Sequence, residues 1–164
     1  MYAYCLFCET QKCAYVARMA QRLWNCRALC PKQVQHVRVQ GSFEDRVHDL
    51  MPGYVFLYAE EPIRNLMPLH PSGVIRVLRY SDERMELAGE DERFALMLLE
   101  KDGVIGRTRV YQEGDRIRLT EGAFEGVEAN ILKVNRRNCR MQIELSFAGR
   151  PVRTWVEYEI VSPA

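Results

Sequence analysis

Cys139-Arg140-Met141-Gln142-Ile143-Glu144-Leu145-Ser146-Phe147 alternates apolar and polar residues along its whole length. A period of two places Cys139, Met141, Ile143, Leu145 and Phe147 on one side of an extended chain, the pattern of a half-buried strand. Outward from it, residues 115–119, 127–134 and 151–156 read as further short strands, separated by turns that contain Gly or Asn. Several such strands within 113–164 suggest a small all-β barrel.

The region before it has a different rhythm. Tyr2 to Cys8 is an apolar run that suits a buried strand. Thr10 is placed to cap a helix starting near Lys12. Val16, Met19, Ala20, Leu23 and Trp24 then recur at the spacing of one helix face, and Lys12, Arg18, Gln21 and Arg22 lie on the other. Residues 27–39 read as extended segments broken at Pro31, and 40–49 as a polar loop. Residues 54–58 form a strong strand entered through Pro52-Gly53. Pro62 suits the first position of a short helix ending before Pro68, and 73–78 is another strand. Residues 90–101 form a last helix, with Glu90, Asp91 and Glu92 complementing its N-terminal dipole and Phe94, Met97 and Leu98 facing inward. The order β-α-β-β-α-β-α describes a split βαβ arrangement, an antiparallel sheet with flanking helices. The fold class is therefore α+β, with a first domain at 1–103, a connector at 104–112 and the small barrel at 113–164.

The formal net charge is only +1, but it is unevenly spread. Residues 1–43 carry +5, residues 44–103 carry −6 and residues 104–164 carry +2. A basic start, an acidic middle and a mildly basic end suit a protein that touches both nucleic acid and protein, although solvated faces alone also produce such asymmetry. The N-terminus has no basic n-region and no small-residue cleavage site, and no apolar run is long enough to span a bilayer. A cytoplasmic protein without membrane contact is expected.

Cys5 and Cys8 form a C-x-x-C inside the first strand, and residues three apart on a strand point to opposite faces. They cannot share a metal without a bend, so the cysteines read as buried reduced thiols and no metal is expected. No P-loop, glycine-rich dinucleotide motif or catalytic His/Cys/Asp group is present. A non-enzymatic protein without cofactors is expected.

Two motifs carry a family resemblance. Leu50-Met51-Pro52-Gly53-Tyr54-Val55-Phe56-Leu57 resembles the PGY strand of the N-terminal (NGN) domain of NusG-type transcription factors. Gly114-Asp115-Arg116-Ile117-Arg118-Leu119, followed by Gly122-Ala123-Phe124-Glu125-Gly126-Val127, resembles the KOW motif that opens their C-terminal SH3-like barrel. The chain departs from the pattern at Ala3, Met51 and Ala129. The connector and the KOW segment are most like the specialised LoaP branch, with a general housekeeping NusG as the alternative.

The resemblance implies a monomer that binds the clamp helices of bacterial RNA polymerase and suppresses pausing and termination. It implies polymerase contacts at Phe7, Met51, Tyr54 and Phe56, although Phe56 also reads simply as core. It implies upstream or non-template DNA near Lys12, Arg18 and Arg22, a stripe that otherwise reads as a wet helix face. For the LoaP branch it implies a nascent RNA hairpin at Arg116, Arg118, Lys133, Arg136, Arg137 and Arg140. Phe124 either docks Rho or a ribosomal protein, or plugs the barrel end.

Overall fold

The computed structural model describes residues 1–113, 116–121 and 129–161. Strand β1 (Tyr2–Cys8) leads through a 3₁₀ turn (Thr10–Lys12) into helix α1 (Cys13–Leu23). Strands β2 (Cys26–Leu29), β3 (Lys32–Val39), β4 (Ser42–Asp49) and β5 (Tyr54–Ala59) follow, then a second 3₁₀ turn (Met67–Ser72) and β6 (Val74–Val77). Helix α2 (Glu90–Glu100) and the short β7 (Val104–Ile105) complete the first half. The second half holds β8 (Thr108–Glu113), β9 (Arg116–Glu121), β10 (Asn130–Asn135), β11 (Arg140–Phe147) and β12 (Arg150–Ile160). The protein is mixed α+β and mostly antiparallel. No helix among the described residues is long and apolar enough to cross a membrane.

A four-stranded sheet in the order β2-β5-β1-β6 organises the first half. Tyr4, Leu6, Val55, Leu57 and Ala59 pack with Val16 and Ala20 of α1 on one side of it. Ala3, Cys5, Tyr54, Phe56 and Tyr58 pack on the other side, with Phe94, Ala95 and Leu98 of α2. This strict alternation puts Cys5 and Cys8 in opposite clusters, as their spacing on a strand requires. Burial pushes the Cys8 thiol up to about 12, with Cys13 and Cys30 adding to the effect.

A three-stranded sheet, β4-β3-β7, stands beside it, and a five-stranded sheet, β10-β11-β12-β8-β9, makes the second half. Met141, Ile143, Leu145 and Phe147 are buried along β11, with Val152, Val156 and Tyr158 of β12.

Several expectations need correction. Of the expected loop at 40–49 only residues 40–41 form a turn, because β4 pairs with β3 over eight registered positions. Its side chains are nearly all exposed on both faces, so burial left no periodic trace in the sequence. No helix starts at Pro62; the 3₁₀ turn begins at Met67. Thr10 makes no side-chain cap and lies inside the first 3₁₀ turn. Most of the expected connector at 104–112 is strand: β7 pairs with β3 and β8 with β9 and β12, with only residues 106–107 between them. Cys139 is an exposed turn residue with φ of 51°, so the buried alternation starts only at Met141.

Gly53 fixes the entry to β5. Its φ is +94°, and a Cβ there would meet Cys8 O and Phe7 Cε2 at 3.0 Å. Its carbonyl meanwhile accepts the Cys8 N–H at 2.7 Å. Gly53→Ala is therefore expected to destabilise the fold by about 1–3 kcal/mol through backbone strain. Chemical denaturation measures this, and an unchanged midpoint would remove the tight turn from the account.

Candidate functional site

Phe7 on β1 and Tyr54 and Phe56 on β5 lie on one side of the first sheet, and Met51, in the bend before β5, packs in the same cluster. Phe7 and Tyr54 are cross-strand partners, and their rings sit 5.0 Å apart at 51°. The Arg76 guanidinium lies 4.9 Å above the Phe7 ring. Burial raises the Tyr54 hydroxyl pKa, and the positive charge of Arg76 works in the opposite direction. Met51 is 1% exposed and Phe56 is fully buried. Met51 also has φ of 54°, a left-handed conformation uncommon for a bulky residue. Such strain persists only where surrounding contacts over-determine it.

Those contacts come from the second half. The Met51 N–H donates to Thr154 Oγ1 at 3.0 Å. The Phe147 ring lies 5.9 Å from Phe56 and 5.3 Å from Phe94, both near edge-on, an arrangement that adds to area burial. The Ala148 N–H donates to Asp91 Oδ2 at 3.0 Å, and that same oxygen accepts the Tyr80 hydroxyl at 2.6 Å. The surface that carries Tyr54 and Phe56 is thus covered, by the inner face of β11 and β12 rather than by the first half alone.

A buried amide completes the seam. Gln33 is 0% exposed. Its Nε2 donates to the carbonyls of Gly106 and Glu157, both at 3.2 Å, and its Oε1 accepts the Glu157 N–H at 2.8 Å. The side chain therefore pairs with the backbone of β12 much as a neighbouring strand would. The Glu157 carboxylate, 4% exposed, lies 2.9 Å from Arg140 Nε and 3.7 Å from His48 Nε2. Burial raises the Glu157 pKa and Arg140 opposes the rise. Burial likewise lowers the His48 pKa. The Arg140 N–H is not aimed at the carboxylate oxygen, despite the short separation. Sequence reasoning passed over Gln33, Thr154 and Glu157, because a polar residue in an extended segment carries no mark of burial.

The basic residues divide. Arg136 and Arg137 occupy the turn between β10 and β11, exposed as expected, and Lys133 is exposed on β10. Arg140 is instead engaged with Glu157 and the Trp155 ring. Arg116 and Arg118 lie on β9, at the opposite end of the hydrogen-bonded order from β10. On the first half, Arg18 and Arg22 are exposed on α1, whereas Lys12 pairs with Glu9 at 2.9 Å. Phe124 falls outside the described residues. No group of His, Cys, Asp and Glu among the described residues has the arrangement to hold a metal.

No protein-family model matches the chain, and a search of curated proteins gives no match.

Proposed function

We propose that this chain is a transcription elongation and antitermination factor of NusG type, with an NGN domain at 1–103 and a KOW domain at 113–164. It acts as a binding protein, not a catalyst, and docks on the clamp helices of bacterial RNA polymerase. One observation carries this reading: the motif-nominated Phe7, Tyr54 and Phe56 share one apolar sheet face, and Met51 packs in the same cluster from the bend before β5. Large aromatic anchors of this kind dominate binding energy at protein interfaces. A factor that bridges the clamp there opposes the opening that pausing and hairpin-induced termination require.

The same face lies under Phe147 and Val152 in the closed arrangement. Polymerase binding in this reading requires the two halves to part, and the contacts with Thr154 and Asp91 set the cost. Arg18 and Arg22 then face upstream or non-template DNA, adding affinity with little sequence information.

In the LoaP-like form of the proposal, Lys133, Arg136 and Arg137 hold phosphates of a nascent RNA hairpin, by shape and charge. Arg136→Ala with Arg137→Ala is expected to weaken hairpin binding and lower its salt slope by roughly one unit per lost phosphate contact. A titration at several salt concentrations measures this; a slope equal to wild type would remove these arginines from the RNA contact.

The test of the function itself is single-round transcription across an intrinsic terminator. More read-through with the full chain is the expected result. Unchanged read-through and pausing would count against the proposal.

A further inference from the structure

The outer face of the second half's sheet carries a row that the RNA reading has not used. Lys133, Gln142 and Trp155 are register partners on three adjacent strands, β10, β11 and β12. They point away from the buried row of Met141, Ile143, Val152 and Val156. Trp155 is half-buried, an aromatic surface on a face otherwise built of polar and charged residues. Arg140 lies over its ring at 5.7 Å. One step along β12, Glu157 is closed off beneath His48. One step the other way, the Arg153 side chain is 65% exposed. Trp155 therefore sits at the edge of a corner, open on the Arg153 side. The Gln142 amide and the indole N–H make no hydrogen bond among the described residues.

Charge decides what fits this face. Both carboxylates beside the row are neutralised by arginines, Glu144 by Arg153 at 2.9 Å and Glu157 by Arg140 at 2.9 Å. Lys133 and Arg137, both exposed, leave a positive surplus. An anionic ligand with flat π surfaces matches cations that flank an aromatic ring. Bases in an RNA stem are already stacked on one another, whereas unpaired loop bases are free to stack on a side chain.

Resting on the RNA reading above, we propose that Trp155 is the stacking platform for an unpaired base in the loop of the bound RNA. Gln142 offers its amide to the edge of that base, and Lys133, Arg136 and Arg137 hold the flanking phosphates. The loop thus supplies sequence preference, while the stem supplies shape and charge.

The protein has two tryptophans, so Trp24→Phe leaves Trp155 as the single indole reporter in an otherwise complete chain. The probes are a pool of short RNA stem-loops with randomised loops, and the same stem closed by an abasic loop. Expected is quenching of Trp155 emission by the first probe and not by the second. Trp155→Ala should lose roughly five- to a hundredfold in affinity for the stem-loops with the salt slope unchanged, and Trp155→Phe should recover most of it. Salt-dependent binding with unchanged Trp155 emission, and equal affinity in Trp155→Ala, would overturn the platform while leaving the RNA reading intact. No RNA binding by the parent chain would overturn both.

Discussion

Phe147→Ala is expected to weaken the fold and, at the same time, strengthen binding to RNA polymerase. The ring is buried against Phe56 and Phe94, where truncation of a phenylalanine costs about 3–5 kcal/mol. Part of that loss falls on the second half's own core, which denaturant unfolding records. The rest falls on the seam that covers the first sheet. A covered state hides the binding face, so every 1.4 kcal/mol removed from the seam raises the open population roughly tenfold. Asp91→Ala is the milder companion, because it removes the carboxylate that holds the Ala148 N–H without touching a core ring. Both variants should bind polymerase more tightly than the parent. Binding that falls in step with stability would mean that the covered face is core alone.

Tyr54→Ala should move binding the other way. The ring packs on Phe7, and the Arg76 charge acts on its hydroxyl. Loss of the ring removes the anchor from both states, the closed protein and the polymerase complex, and hot-spot aromatics commonly cost 2 kcal/mol or more when truncated. Binding should therefore drop by at least about thirtyfold, even though the seam is also weakened. Tyr54→Phe keeps the apolar ring and should retain most of the affinity. Equal losses in Tyr54→Ala and Phe147→Ala would contradict the division of roles between them.

Much of this architecture was legible in the residues because burial leaves a periodic mark. The helix at Val16–Ala20, the strand at 54–59 and the alternation from Met141 to Phe147 each bury one face or both, and each announces itself. Strand β4 does not, since its apolar Phe43 and Val47 are 63% and 56% exposed and its other residues are all polar. The seam was hidden for another reason. Phe147 obeys the same period of two whether its ring meets its own sheet or a neighbouring one, so periodicity cannot name its partner. Gln33 shows the limit most clearly: its complete burial depends on the backbone of Glu157, far away in sequence. The nominated face was thus readable as a strand surface, but its cover was not.

Amide hydrogen exchange of the full chain, with and without core RNA polymerase, tests the central claim most directly. In the free protein the Ala148 and Glu157 N–H groups are held by Asp91 and Gln33 and should exchange slowly. On binding, both should exchange faster as the halves separate, while the amides of residues 54–58 stay protected within the sheet and beneath polymerase. Absence of a complex, or a complex in which Ala148 and Glu157 remain as protected as before, would contradict the proposed use of this face.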